Sequence, residues 1–150
     1  MAVQQFQARA RSEGGLKVAV QARHFSITID EPEALGGTDT GMNPVELLLG
    51  SLGACQAIVA RVYAAQFNVQ LDDFQVEVIG DIDLDGFFGA SDVRPGYSDI
   101  RYNFHLQSPS PPERIRSFIE HLQKVCPVGD TLANAVKLTL NDVVVNRQAA

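Results

Sequence analysis

The chain has 150 residues, of which 45% are hydrophobic, and a formal net charge of −6. A chain of this length closes one hydrophobic core, so we expect a single domain over residues 1–150. Nucleic acid and anionic membranes are bound through clustered Lys and Arg, so the negative charge argues against both as partners. The N-terminus lacks the basic patch, apolar run and cleavage site of a secretory signal, and we expect a cytoplasmic protein.

The N-terminal region predicts antiparallel strands. Residues 3–10 form the first strand candidate, which a turn signal at residues 12–15 ends. In the next stretch, KVAVQARHFSITID, the apolar residues alternate and then change phase. A period-two pattern changes phase only at a turn or bulge, so we expect a corner at residues 22–24 that exposes Arg23.

A long apolar helix follows a loop at residues 31–41. Asn43 is the predicted N-cap, Pro44 takes the first helical position, and Glu46 takes the third, where its carboxylate reaches back to the cap. The helix should run to about residue 66. Its charge-free part, residues 47–60, is shorter than the ~20 apolar residues of a membrane span. We therefore interpret it as a core helix.

The second half of the chain predicts further strands and two more helices. Apolar residues at every second position indicate strands at 74–83 and 100–106, joined by a Gly- and Asp-rich loop, 84–97, that we expect to be mobile. Helices at 110–125 and 126–135 and a last strand at 136–145 complete the pattern. The predicted fold class is α+β, with an antiparallel sheet of five or six strands around the central helix.

One of the two cysteines, Cys55, lies in the middle of the central helix. At 100° per residue it shares an apolar face with Leu48, Ser51, Leu52, Ile58, Val59 and Val62. The side formed by Gly50, Gly53, Ala54 and Ala57 lets another backbone approach closely. A mid-helix thiol gains little from the helix dipole, and burial raises its pKa. A reactive Cys55 therefore needs a cation from elsewhere in the fold.

Two arginines are candidates for that cation. Arg23, at the predicted corner, is the better placed candidate. Arg11, near Gly14 and Gly15, is the second candidate. For either arginine the alternative is a solvated surface charge.

Glu46 and Cys126 are the other candidate site residues. Glu46 lies roughly 13 Å along the helix axis from Cys55 and half a turn around it, so the two do not meet within one chain. It is either a capping residue or part of a site shared between subunits, and the two roles are compatible. Cys126, directly before Pro127, occupies an N-cap-like position, where free N–H groups stabilise a thiolate. The local sequence thus favours Cys126 as the more reactive thiol.

Neither the histidines nor the alternating aspartates are spaced as metal ligands, so we expect no metal site.

The two cysteine motifs together resemble a known family. The run DEPEALGGTDTGMNPVELLLGSLGAC, followed by KVCPVGDTL, is similar to the OsmC/Ohr family of osmotically induced and organic hydroperoxide resistance proteins. The resemblance covers residues 17–144. It implies an OsmC-like fold, an intertwined homodimer and a thiol peroxidase for organic hydroperoxides.

The resemblance also implies roles for the two cysteines. Cys55 matches the peroxidatic cysteine and Cys126 the resolving one, in the opposite order to the local argument. A sulfenic acid on Cys55 would condense with Cys126 to a disulfide, which an external dithiol, lipoyl-linked in the best-known branch, would reduce. No metal or organic cofactor is implied.

The sequence departs from the family pattern at two points. In the peroxidase branches the functional Glu directly follows the Asn-Pro, whereas here Val45 holds that place and Glu46 comes one residue later. The loop GGTDTGM has no Arg, so Arg23 is matched to the family arginine by the geometry of its corner.

The alternative function is an OsmC-like dimer that binds a small hydrophobic or thiol ligand without efficient turnover. A third interpretation gives both cysteines a purely structural role.

Overall fold

The structure is a computed structural model that describes residues 3–145. Its strands are β1 (Arg9–Gly14), β2 (Lys17–Ala22), β3 (Phe25–Ile29), β4 (Asp73–Asp81) and β5 (Asp99–Gln107). Its helices are α1 (Pro44–Tyr63), α2 (Leu84–Phe88), α3 (Pro112–Val125) and α4 (Pro127–Ala133), with a short 3-10 turn at Glu33–Leu35. The predicted α+β class and the central helix are confirmed.

Strands β1, β2 and β3 form a three-stranded antiparallel sheet, which we call the outlying sheet. The predicted corner at residues 22–24 is confirmed as a tight hairpin in which Ala22 pairs with Phe25. Arg23 adopts a left-handed backbone there, with φ 56°. Within residues 3–145, this sheet makes no extensive contact with α1, α3 or α4.

The first strand does not lie where the sequence predicted it. Residues 3–8 are outside β1, which begins at Arg9 and continues to Gly14. The turn that ends β1 is confined to the Gly pair, where Gly14 and Gly15 have φ 109° and 56°. Of these two values, 109° is the one that essentially only glycine adopts without strain, and the strand continues through Ser12 to this first glycine.

Strands β4 and β5 form a separate two-stranded antiparallel sheet that packs on α1. The predicted small side of α1 lets the strand come close, since a Cβ built on Gly53 would lie 3.4 Å from Val78 Cγ2. Helices α3 and α4 pack on another side of α1. We call α1, β4, β5, α3 and α4 together the packed layer. Its core consists of Val59, Ala60, Val69, Phe118 and Leu122.

Three other sequence predictions are corrected. The strands make two sheets of three and two strands in place of one sheet. The predicted loop 84–97 begins with helix α2. Residues 136–145 form no strand in the described chain, and Leu138 and Leu140 are 94% and 81% exposed. A strand needs a neighbouring edge to take its backbone hydrogen bonds, and residues 136–145 have no such edge beside them within residues 3–145.

Helix α1 buries only one side of its surface. The buried residues are Leu52, Gln56, Val59 and Ala60, whereas Ile58 and Val62 are 65% and 66% exposed. The apolar face predicted around Cys55 is therefore only half covered by this chain. By length and composition alone α1 could cross a membrane, but it packs against β4, α3 and α4 as a core helix does.

The segment between the outlying sheet and α1 is organised by one buried carboxylate. Asp30 is 1% exposed, and its Oδ2 accepts hydrogen bonds from the hydroxyl and backbone N–H groups of Thr38 and Thr40. These bonds, the one from the Thr38 hydroxyl foremost, hold the pKa of Asp30 well below its usual range. Asp30 therefore fixes the path of the chain as it enters α1.

Candidate active site

The two cysteines, far apart in the sequence, lie side by side in the packed layer. Cys55 is half-buried in the middle of α1, and Cys126 is 1% exposed at the junction of α3 and α4. The Cys55 side chain is close enough to be one of the causes that raise the pKa of Cys126. The structure thus brings together the two thiols that the motifs singled out.

Cys126 is the N-cap of α4 as predicted, but this position does not lower its pKa below the ordinary value for a thiol. Its Sγ accepts the backbone N–H of Gly129 at 3.4 Å. Burial raises the pKa of Cys126, and this effect outweighs the backbone N–H groups of Val128 and Gly129, which lower it. The expectation of a stabilised thiolate at this position is therefore wrong, because burial dominates over the helix N-terminus.

A cavity of about 590 Å³ lies between α1, the start of β5 and α4. Of the two cysteines, it is Cys126 that lines it. Apolar side chains from α1, β5 and α4 form much of the wall, among them Leu48, Leu52, Ile100 and Leu132. The volume is within the range of small-molecule sites in proteins.

Polar groups that the sequence analysis did not single out also line this cavity. Gln56 comes from α1, Gln123 from α3, and Arg94 and Tyr97 from the segment before β5. The Tyr97 hydroxyl donates a hydrogen bond to the Val45 carbonyl at 2.9 Å, which ties that segment to the first turn of α1. Burial first, and the Glu46 carboxylate second, raise the pKa of Tyr97.

Of these groups, only Gln56 carried a signal in the sequence. It is the one amide in the otherwise nearly apolar run of residues 47–60. Arg94 and Tyr97 belong to a segment that was expected to be a loop, where position along the chain says little about contacts.

The predicted arginines are not part of this site within one chain. Arg23 lies in the hairpin of the outlying sheet, where its guanidinium carbon sits 4.9 Å from the centre of the Phe25 ring. Arg11 lies on β1 and pairs with Ala19 of β2. Neither lines the cavity beside Cys126.

Glu46 forms the predicted capping box. Its Oε2 accepts the Asn43 N–H at 2.8 Å, and Asn43 Oδ1 accepts the Glu46 N–H at 2.9 Å. Glu46 also borders a shallow surface groove between α1 and β4, on a different side of the helix from the cavity. Within this chain Glu46 stabilises the N-terminus of α1.

Comparison with known proteins places this arrangement in a family. The family model described as "OsmC-like protein" matches residues 37–141, more than half of the chain. The chain belongs to the OsmC-like protein family. The match contains both cysteines and the capping box.

Individual relatives of this OsmC-like protein agree with that placement. A hydroperoxide reductase from Mycoplasma genitalium is 29% identical over 122 residues, which covers 79% of each chain. The crystal structure of an OsmC-like protein from Mycoplasma pneumoniae superposes with a TM-score of 0.73 at 24% identity, covering 87% of this chain and 88% of that one. An organic hydroperoxide resistance protein from Legionella pneumophila gives a TM-score of 0.64 at 18% identity, covering 88% and 91%. The fold is therefore OsmC-like.

Proposed function

We propose that this OsmC-like protein is a thiol-dependent peroxidase that reduces organic hydroperoxides to alcohols. Similarity to proteins named hydroperoxide reductase supports a peroxide-related redox role. The observation that carries the finer proposal is that Cys126, at the start of a helix that packs on α1, lies near Cys55. Two neighbouring thiols need little movement to form a disulfide.

The proposed cycle starts at Cys55, which is the less buried thiol. Its thiolate attacks the distal oxygen of the hydroperoxide, the O–O bond breaks, and an alcohol leaves once the alkoxide takes a proton. The sulfur becomes a sulfenic acid. Cys126 then attacks that sulfur, a disulfide forms, and the hydroxyl group leaves as water with one proton. An external dithiol, of the lipoyl type in our proposal, reduces the disulfide by exchange.

The proposal includes a homodimer, because large apolar side chains among residues 3–145 are exposed in a single chain. Ile58 and Val62 of α1 are largely exposed, and so are the apolar side chains of residues 136–145. A second copy that covered α1 with its outlying sheet would bury these residues and carry its own Arg23 towards Cys55. Arg11 is the reserve for that role, and a Glu46 that caps α1 could also border such a shared site. We place the protein in the cytoplasm, where thiols are kept reduced.

The experiment follows free thiols per chain after the reduced protein is mixed with cumene hydroperoxide or with hydrogen peroxide. We expect rapid loss of both thiols, faster with the organic peroxide. In Cys55→Ser the rapid loss disappears, whereas in the matched Cys126→Ser variant Cys55 still oxidises quickly but stops at the sulfenic acid. Loss at the rate of a free thiol in the unmodified protein would exclude the peroxidase.

The second candidate function is binding of a small hydrophobic or thiol ligand without efficient turnover. The cavity beside Cys126 favours it, as does the use of Glu46 for capping. Slow thiol loss with both peroxides, together with retention of an apolar ligand on gel filtration, is the result that this function predicts.

A further inference from the structure

The segment that joins β4 to β5 is held closely to the rest of the packed layer. Tyr97 packs across Gly80, where a Cβ would lie 2.5 Å from the Tyr97 ring, and its hydroxyl donates to the Val45 carbonyl at 2.9 Å. Gly86 of α2 lies so close to the following turn that a Cβ on it would be 2.8 Å from the Arg94 carbonyl oxygen. Glycine permits such close approaches of the backbone. The segment is therefore tied to α1 and folded tightly on itself.

This segment places Arg94 in the wall of the cavity that Cys126 also lines. The Arg94 guanidinium lies over Gly96, another lining residue, with its Nη2 3.5 Å from the position of a Cβ on that glycine. In the described part of the chain, Arg94 is the one cationic residue of the lining, and its guanidinium forms no ion pair there. The lining carboxylate, Asp99, differs because Arg101 already binds it. The positive charge of Arg94 is therefore open to a ligand.

A free guanidinium in such a cavity favours one kind of ligand. Apolar side chains from α1, β5 and α4 form much of the wall, and the volume of about 590 Å³ suits a small molecule. A planar guanidinium binds a carboxylate through two parallel N–H···O bonds. A phosphate monoester would bring nearly two negative charges to this single cation. The wall therefore fits an apolar molecule that carries one carboxylate.

We propose that Arg94 is a specificity-determining residue, and that its guanidinium binds the carboxylate of organic hydroperoxides that carry one. The inference rests on the proposed function and adds a substrate class to it. The apolar part of the substrate fills the cavity, and Cys126 in the cavity wall brings the peroxide group next to the cysteine pair. The carboxylate takes no part in the reaction at sulfur, so neutral hydroperoxides remain substrates.

The test compares three hydroperoxides on the reduced protein. Cumene hydroperoxide is neutral, its para-carboxylate carries the charge, and the methyl ester of that carboxylate has nearly the same size without the charge. The second-order rate constant of thiol loss is measured for each in the unmodified protein, Arg94→Gln, Arg94→Lys and Arg116→Gln. Arg116 is exposed on α3 and outside the cavity lining, so its variant is the matched control for net charge. The ratio of the carboxylate rate to the ester rate cancels the intrinsic reactivity of the peroxide group.

We expect Arg94→Gln to lower this ratio roughly three- to fivefold, the size of a partly exposed ion pair. Arg94→Lys should give an intermediate ratio, because it keeps the charge and loses the paired hydrogen bonds. Arg116→Gln keeps the ratio of the unmodified protein, and the rate with cumene hydroperoxide is the same in all four proteins. An unchanged ratio in Arg94→Gln, or an equal fall in Arg116→Gln, would overturn the inference and leave Arg94 as a solvated surface charge.

A binding measurement separates this inference from the proposed function. 4-Isopropylbenzoate has the apolar ring and the carboxylate but no peroxide, and NMR titration of the isotope-labelled protein gives its dissociation constant. We expect this constant to rise roughly three- to fivefold in Arg94→Gln and to stay unchanged in Arg116→Gln. Slow thiol loss with all three hydroperoxides, together with this pattern of binding, would remove the peroxidase and keep the carboxylate site. Rapid thiol loss with a ratio that does not depend on Arg94 would keep the peroxidase and remove the carboxylate site.

Discussion

The outlying sheet and the two-stranded sheet of the packed layer both have strands of alternating apolar and polar residues. They differ in how far the apolar side chains are buried. In β4 and β5, every second side chain is half-buried, and β4 packs on α1. In β3, Phe25 and Ile27 alternate with Ser26 and Thr28 in the same way, yet both apolar side chains are exposed, by 55% and 45%. The alternation tells which face of a strand is apolar, but it does not tell what covers that face.

The predicted site residues are divided between the same two regions. The packed layer holds both cysteines and the cavity, whereas Arg23 and Arg11 lie on the outlying sheet. If a second copy covers the apolar face of the outlying sheet, then one event supplies both the missing burial and the predicted Arg23. The following changes test each side of this comparison.

The largest effect is expected in the packed layer. Phe118 is fully buried and belongs to the core cluster. Phe118→Ala should lower the free energy of unfolding by about 3–5 kcal/mol, because it removes buried apolar area and leaves a cavity. Urea denaturation followed by circular dichroism measures the loss. The exposed Phe88 is the control, since Phe88→Ala should change the free energy of unfolding by at most about 0.5 kcal/mol. Equal losses in the two variants would contradict the placement of the core.

The second effect concerns the outlying sheet and the proposed dimer. Ile27→Asp places a charge on the apolar face of β3, and we expect the dissociation constant of the dimer to rise roughly hundredfold, since burying an unpaired carboxylate is costly. Sedimentation velocity over a concentration series measures this. Ser26→Asp puts the same charge on the opposite face and should leave the dimer intact. A dimer that tolerates Ile27→Asp would mean that this face is not the interface.

The third effect lies at the junction between the two regions. The lowered pKa of Asp30 means that its carboxylate stabilises the fold above the unfolded pKa of about 3.9, and that this stabilisation is lost as the pH falls towards the folded pKa. Asp30→Asn should therefore be less stable than the unmodified protein at pH 7, and the difference should shrink as the pH drops below about 4. Urea unfolding at several pH values measures it.

Asp39→Asn is the control for the junction. Asp39 is exposed in the same segment and its substitution changes the net charge equally, so it should leave stability nearly unchanged. A difference between Asp30→Asn and the unmodified protein that does not depend on pH would contradict the role of the ionised carboxylate.

The smallest effect is expected at Glu46. Glu46→Gln keeps a group that reaches back to the Asn43 N–H but removes a negative charge from the first turn of α1. We expect a loss of about 0.3–1 kcal/mol, measured by thermal or urea unfolding, with the exposed Glu33→Gln as control. The rate of peroxide reduction should stay unchanged if Glu46 only caps the helix. A large drop in that rate at unchanged stability would show that Glu46 also serves a shared site.

The sequence predicted those elements whose signals are local. Asn43, Pro44 and Glu46 marked the start of α1 correctly, because an N-cap is built from residues three positions apart. The period-two alternation located β4 and β5, and the phase change located the corner at Arg23.

The rest depends on contacts between distant segments. The local surroundings of Cys126 suggested a stabilised thiolate, but its burial by other parts of the fold reverses the direction of its pKa. The pattern at residues 136–145 predicted a strand without showing which edge it would join. The cavity brings Gln56, Arg94 and Cys126 together from three separate segments, and no spacing rule connects them.

The cap of α4 has one more consequence. The sulfur that accepts the Gly129 N–H is the atom that the proposed cycle would oxidise and reduce, so each turnover would alter what holds the first turn of α4. Gly129, Leu132 and Ala133 of that helix form part of the cavity wall. The strength of the Gly129 hydrogen bond should therefore depend on the oxidation state of Cys126. Amide hydrogen exchange at Gly129 would then follow the cycle without any label on the cysteines.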